Sequence, residues 1–109
     1  MDKEHAALGE NSISLVGRLS GEVVERELPS GDRVANFRVV VPRPAGAPGR
    51  ARVDTIDVAC WSTRTRRIAG RLTEGTVVVI DGALRRRFFA AGAGRASRYE
   101  VEAQRLRRT

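Results

Sequence analysis

The chain has 109 residues, 41% of them hydrophobic, and a formal net charge of +7 from 20 basic and 13 acidic residues. This length predicts one domain with a modest core. An apolar run of about 18 residues is absent, which excludes a membrane-spanning helix, and the N-terminus lacks the layout of a signal peptide. Cys60 is the single cysteine, which excludes an internal disulfide and fits a reducing compartment. These properties predict a cytoplasmic protein.

The charge is distributed unevenly along the chain. Residues 1–32 hold seven acids and three bases, a balance of −4, whereas residues 33–109 hold six acids and 17 bases, a balance of +11. Such an excess of positive charge favours a polyanionic partner for the later two thirds of the chain. All bases except Lys3 are arginine. A genome rich in G and C also explains any single arginine, but it explains an arginine cluster less well.

The first elements in chain order are an arm and a hairpin. Residues 1–10 show no periodic pattern and are predicted to form a mobile N-terminal arm. Alternating apolar and polar side chains predict a half-buried strand over residues 11–19, which residues 22–28 continue. The sequence Pro-Ser-Gly-Asp at 29–32 is a strong turn signal, and residues 34–41 form the returning strand.

A third strand and a short helix follow. Residues 53–61 are rich in β-branched and apolar side chains, which favours a strand. Ser62 is suited to the N-cap of a helix that carries Ile68 and Leu72 at i, i+4 spacing. Gly75 stands where we expect this helix to end.

The remaining elements complete the fold class. Residues 76–89 are predicted to form a long fourth strand with a kink at Gly82, residues 90–94 a turn, and residues 97–106 a fifth strand. The order is three strands, one helix and two strands. This order predicts an all-β protein with one short helix, namely a five-stranded OB-fold barrel spanning residues 11–109 as a single domain.

The run Arg85-Arg86-Arg87-Phe88-Phe89 carries the clearest chemical signal. Guanidinium groups pair with phosphate in a fork geometry, and aromatic rings stack on unpaired bases. Alternation along a strand places Arg85, Arg87 and Phe89 on one face. These three residues are predicted to bind a single-stranded nucleic acid. Phe88, on the other face, is predicted to lie in the core or in a subunit interface.

Four further residues are candidates for the same ligand. Trp61 alternates with an apolar set on its strand, which predicts that its ring faces outward and stacks on a base; core packing is the alternative. Arg38 points away from the predicted core residue Phe37, towards solvent or a groove. Arg43 and Arg52 flank a loop rich in proline and glycine, from which they are predicted to contact phosphates.

Catalytic chemistry finds little support in the sequence. His5, the only histidine, lies in the predicted arm, so no serine or cysteine nucleophile has a suitable base. One cysteine and one histidine cannot form a structural zinc site. Asp54 and Asp57 alternate to opposite faces of their strand, which disfavours the shared metal site of a nuclease. We therefore expect no catalytic residue, no metal and no cofactor.

Several segments together resemble the bacterial single-stranded DNA-binding proteins, and the similarity runs from Asn11 to Leu106. The segments are Asn-Ser-Ile-Ser-Leu-Val-Gly-Arg-Leu at 11–19, Pro-Ser-Gly at 29–31, Val-Ala-Asn-Phe-Arg at 34–38, Ile-Asp-Val-Ala-Cys-Trp at 56–61 and Gly-Ala-Leu-Arg at 82–85. The resemblance implies an OB-fold subunit, usually of a homotetramer, that wraps single strands without sequence preference.

The resemblance also implies roles for particular residues. In that family, aromatic residues on the strand surfaces stack on bases, and Trp61 and Phe89 stand at such positions. The two arginines on the same face as Phe89 stand at basic strand positions of the family. Thr55 stands where many members carry tryptophan, and Ala45 lies near another aromatic position. Because stacking contributes about 1–3 kcal/mol per base, two missing platforms predict weaker binding.

A last feature of the resemblance concerns partners. Family members typically end in a long tail with an acidic tip that recruits repair and replication enzymes, whereas this chain ends at Thr109. Recruitment by that route is therefore not expected, whether the chain is a short paralogue or part of a longer protein. The main prediction is a single-stranded DNA binder in replication, recombination and repair. The alternative is a tailless OB-fold adapter of the primosomal replication-restart type, usually a dimer, that acts mainly through protein contacts.

Overall fold

The computed structural model describes residues 8–109. Most of the predicted arm, including His5, lies outside the described residues. Within them, five strands close a barrel in the order β1-β2-β3-β5-β4, and one short helix lies between the third and fourth strands, which confirms the predicted fold class. The elements are β1 (Ile13–Glu27), β2 (Arg33–Pro42), β3 (Val53–Cys60), α1 (Thr63–Ala69), β4 (Val77–Ala91) and β5 (Gly94–Arg108).

Strand β1 closes one side of the barrel by pairing with two neighbours. Its first half is antiparallel to β4, and its second half is antiparallel to β2, with a register shift between Ser20 and Val24. Strands β3 and β5 close the other side through a short parallel contact that pairs Val58 with Val101. The long strands therefore reach beyond the barrel, and their ends are available to position other side chains.

The core consists of alternate side chains from all five strands. Phe37 is buried, as its place in the alternation predicts, and Cys60 is buried as a small apolar side chain. The largest fully buried side chains are aliphatic and mostly β-branched, which suits the pleated surface of a closed sheet. They are Leu19, Val34, Val39, Val58, Val78, Ile80 and Val101.

Helix α1 begins as predicted and ends earlier than predicted. The Ser62 hydroxyl accepts a hydrogen bond from the backbone N–H of Thr65 at 3.1 Å, so Ser62 is the N-cap. The predicted end near Gly75 is wrong, because the C-cap is Gly70. The next N–H groups bond three residues back, and this tighter turn carries Leu72 into the core without continuing the helix. No helix in residues 8–109 is long and apolar enough to cross a membrane.

The outer part of β4 and β5 forms a two-stranded ribbon, namely residues 85–91 paired with residues 94–100. The predicted kink is present as a register shift between Asp81 and Gly82. The predicted five-residue turn is too long, since Ala91 pairs with Gly94 and the loop has only two residues. Gly92 supplies the positive φ of 57° that this loop requires. Among the described residues, the ribbon strands pair only with each other, so the two outer edges of the ribbon are unpaired.

Candidate nucleic-acid interface

Four adjacent strands, β2, β3, β5 and β4, present alternate side chains on the side away from the core, which we call the outer face. Strand pairing fixes which side chains share this face, because residues that pair directly point to the same side. The residues of the outer face that matter here are Arg38, Asp57, Trp61, Arg85, Arg87, Phe89, Arg98, Glu100 and Glu102.

Trp61 lies immediately after β3, and its ring is half-buried outside the core cluster. The guanidinium of Arg87 lies over this ring, with Cζ 5.1 Å from the ring centre. That distance is typical of a cation–π contact. The Trp61 Nε1 is buried and has no hydrogen-bond partner. The structure therefore brings together an aromatic ring and a guanidinium group that are 26 positions apart in the sequence.

The two arginines of β4 on this face are paired with carboxylates of β5. The Nε of Arg85 lies 3.2 Å from Glu102 Oε2, and Nη2 of Arg87 lies 3.5 Å from the same oxygen. The Nε of Arg87 lies 3.5 Å from Oε2 of Glu100, whose residue is only 4% exposed. These carboxylates hold both guanidinium groups in place, and they also compete with any phosphate for them.

Arg38 lies on β2, the strand next to β3, and points to the same face. It donates to Asp57 Oδ1 at 3.0 Å and remains largely exposed. A groove of about 320 Å³ lies between Arg38 and Arg98, and Asn36 contributes to its wall. Arg98 Nε in turn lies 3.9 Å from Glu100 Oε1. The groove is open to solvent, and its lining holds two guanidinium groups together with the carboxylates of Glu22 and Asp57.

Arg43 and Arg52 are placed elsewhere. Arg43 donates two hydrogen bonds to Asp54 Oδ1, at 2.7 and 3.1 Å. Alternation along β3 puts Asp54 on the side opposite Asp57, so this pair does not join the outer face. Arg52 is exposed just before β3, and its carbonyl accepts from the Arg43 N–H at 2.8 Å. Two of the predicted site residues, Arg43 and Arg52, therefore flank the loop. The others lie on the outer face, namely Arg38, Trp61, Arg85, Arg87 and Phe89.

Phe88 does not lie in the core. Its side chain is 60% exposed on the other face of the ribbon, because the ribbon extends beyond the barrel and covers nothing on that side. The core assignment of Phe88 is therefore wrong. Its assignment to a subunit interface stays a prediction.

Sequence reasoning missed the carboxylates that pair with the arginines. Glu100 and Glu102 alternate along β5 with the same period as Arg85 and Arg87 along β4. A correct length for the connecting turn would have placed both pairs on the same face, with Arg85 directly opposite Glu100. The alternation of these glutamates was the available signal. Using it to place them beside the arginines requires knowing that the connecting turn is two residues long.

Two other kinds of site, a metal centre and a reactive thiol, find little support among the described residues. Within residues 8–109, no group of three or more histidine, cysteine, aspartate or glutamate side chains is arranged to hold a metal ion. Burial raises the pKa of the Cys60 thiol to about 12, and a hydrogen bond with Thr65 opposes this effect only in part. Cys60 is therefore a thiol at neutral pH and a poor nucleophile.

A solved structure shares this fold. The Plasmodium falciparum SSB, in a complex with ssDNA, superposes with a TM-score of 0.74 at 19% sequence identity. The match covers 93% of this chain and 96% of that one. At this level of identity the likeness concerns the fold alone, and it places the five strands and the helix in the same architecture.

Comparison of sequences identifies relatives. A single-stranded DNA-binding protein of Halalkalibacterium halodurans is 33% identical over 86 residues, which are 78% of this chain and 51% of the relative. Another, of Corynebacterium glutamicum, is 32% identical over 105 residues, 89% of this chain and 46% of the relative. The chain thus spans about half the length of these relatives. The family model described as Single-strand binding protein family matches residues 10–109, and the chain belongs to that family.

Proposed function

We propose that the chain binds single-stranded DNA without sequence preference and organises it during replication, recombination and repair. The contact between Trp61 and Arg87 carries the proposal, because it joins a stacking platform to a phosphate-binding group on one surface. Arg85 and Phe89 extend the same surface along β4. The family is one of DNA-binding proteins rather than enzymes, so binding is the activity to be explained.

Binding would proceed by exchange of partners on the outer face. A phosphate takes the place of a Glu102 or Glu100 oxygen at the guanidinium groups of Arg85 and Arg87. Bases then stack on the Trp61 ring and on the exposed Phe89 ring. Phosphates and the π-faces of bases are common to every sequence, so such contacts carry no sequence preference.

The adapter alternative has weaker support. The relatives that match most of this chain are named single-stranded DNA-binding proteins, which favours DNA binding over protein bridging. We further propose that the chain works as a homo-oligomer, with a tetramer as the main expectation and a dimer as the alternative, and that it acts in the cytoplasm on DNA of the nucleoid.

A competition assay tests the proposal. The chain is incubated with a labelled oligo-dT of about 30 nucleotides at low salt, and complexes are separated by gel mobility. We expect a shifted complex that unlabelled mixed-sequence single strands compete for as well as oligo-dT does. A duplex of the same length should compete poorly, because paired bases cannot stack on the rings. Equal competition by the duplex would reduce the interaction to nonspecific charge attraction and contradict the proposal.

A further inference from the structure

The side of the β4–β5 ribbon away from the outer face carries its own exposed aromatic residues. We call it the opposite face, and it consists of Arg86, Phe88, Arg95, Ser97 and Tyr99. Phe88 is 60% exposed and Tyr99 is 59% exposed. Two large rings with this much exposed surface need an explanation, because neither ring belongs to the core cluster of the barrel.

Among the described residues, no carboxylate neutralises the charges on this face. Residues 82–99 contain five arginines and no acidic residue. On the outer face the arginines meet Glu100 and Glu102, but within residues 8–109 neither Arg86 nor Arg95 forms an ion pair with a carboxylate. Arg86 instead donates to the Ser97 hydroxyl at 3.2 Å. The opposite face therefore attracts anions more strongly, residue for residue, than the compensated outer face.

Cations and rings alternate on the opposite face. The Cζ of Arg86 lies 4.9 Å from the centre of the Phe88 ring and 5.6 Å from the centre of the Tyr99 ring. Arg95 lies over Phe88 at 5.8 Å. This is the chemistry of the Trp61–Arg87 contact, repeated on the other side of the same two strands. Rings suit the flat sides of bases, and the guanidinium groups beside them suit the connecting phosphates.

We propose that the opposite face, through Arg86, Phe88, Arg95 and Tyr99, is a second contact surface for single-stranded DNA. A strand long enough to pass around the ribbon would then be held on both of its faces. The inference rests on the proposed function of the outer face and adds a second set of residues to it. A second copy of the chain is the rival occupant. A two-fold contact between copies would bring arginines from both copies together with no carboxylate to separate them, which disfavours it.

Photo-crosslinking identifies the contacted residues directly. Oligo-dT of about 60 nucleotides carrying 5-iodouracil at scattered positions is bound to the intact chain and irradiated, and the crosslinked peptides are sequenced by mass spectrometry. We expect crosslinks at Phe88 or Tyr99 as well as at Trp61 and Phe89. Crosslinks confined to Trp61 and Phe89 would overturn the second surface while leaving the proposed function standing. Absence of any binding by the unaltered chain would overturn both.

Variants separate a contact from a structural role of the rings. The double change Phe88→Leu with Tyr99→Leu keeps apolar side chains on the ribbon and removes both rings. We expect affinity for long oligo-dT to fall about tenfold or more, with affinity for strands too short to pass around the ribbon unchanged. Phe89→Leu, the matched control on the outer face, should weaken binding of both lengths. Thermal melting confirms that each variant is folded.

Light scattering tests the rival occupant in the same samples. If the opposite face binds DNA, the double variant keeps the mass of the unaltered protein in solution. A lower mass with unchanged affinity for long strands would show that a second copy covers the face, and the inference would be wrong.

Discussion

The guanidinium of Arg87 lies 5.1 Å from the centre of the Trp61 ring and also 3.5 Å from oxygens of Glu100 and Glu102. One side chain therefore touches both the aromatic platform and the carboxylates of the outer face. The Nε of Arg87 is buried and lacks a hydrogen-bond partner of good geometry. A phosphate that replaces a carboxylate at Arg87 acts beside the ring on which a base would stack. In the proposed binding mode, charge pairing with phosphate and base stacking are thus coupled through Arg87.

Arg87→Leu tests that coupling. The change keeps an apolar side chain near Trp61 but removes the cation. We expect affinity for oligo-dT to fall about tenfold, since a hydrogen bond to a charged group is worth about 1.5–3 kcal/mol. The slope of log affinity against log salt should become shallower by about 0.7, the value for one phosphate of a single strand. Both quantities come from fluorescence-anisotropy titrations at several salt concentrations.

Arg67→Leu is the control for this change. Arg67 is exposed on helix α1, so its loss should leave the affinity within about twofold. If both variants lose affinity equally, the general positive charge of the chain would explain binding, and the outer face would have no special role.

Glu102→Gln should raise affinity. Its carboxylate pairs with Arg85 and Arg87, and the amide no longer competes with phosphate for them. An exposed ion pair is worth about 0.2–1 kcal/mol, so we expect a gain of up to about fivefold at low salt that shrinks as salt screens the charges. Glu74→Gln, which removes a carboxylate in the loop after α1, should have little effect. Weaker binding by the Glu102 variant would mean that the carboxylate positions the arginines more than it obstructs them.

Gly82→Ala should destabilise the fold. A Cβ at Gly82 would overlap the carbonyl oxygen of Glu102, which is backbone and cannot move aside. Overpacking of this kind costs about 1–3 kcal/mol, and we expect the upper end of that range in urea unfolding. Gly94→Ala is the matched control at the other end of the ribbon, where a Cβ would meet nothing within 4 Å. Equal stability of both variants would show that β4 and β5 do not approach closely at Gly82.

Cys60 should be inert while the protein is folded. Burial raises the pKa of its thiol to about 12 from the ordinary value of 9.0, so almost no thiolate exists at neutral pH. Because the folded pKa is the higher one, the unfolded chain loses its proton first. The contribution to stability is complete below pH 9 and is lost as the pH rises towards 12. A disulfide reagent such as DTNB should react at pH 8 only after urea unfolds the chain. Rapid labelling of the folded chain would contradict the burial of this residue.

The architecture followed from features that are local in the sequence. Alternation of apolar residues gave the strands, and the Pro-Ser-Gly-Asp turn at 29–32 gave the first hairpin. Gly82 marked the register shift in β4. The predicted end of α1 is wrong because Ile68 and Leu72 are both packed against the core, although only Ile68 lies in the helix. The i, i+4 spacing alone cannot distinguish a continued helix from a tighter turn.

The site was harder to predict because it depends on the register between β4 and β5 and on how far these strands extend beyond the barrel. Alternation alone predicts that Arg85, Arg87 and Phe89 share one face, and the observed pairing confirms that they do. Their ion pairs with Glu100 and Glu102 require the exact turn, because an error of one residue moves every side chain of β5 to the other face. The prediction of Phe88 in the core is wrong because alternation identifies a face but not how far the strand extends beyond the barrel.

A stoichiometric titration tests the central claim, that Trp61 and the arginines beside it bind single-stranded DNA. Trp61 is the only tryptophan, so its emission reports on this platform alone. Oligo-dT of graded lengths is added at low salt, and the emission is followed to saturation. We predict quenching that saturates at a fixed number of nucleotides per chain and reverses when salt is added. Unchanged Trp61 emission at saturating oligo-dT, with no mobility shift in the same samples, would contradict the account.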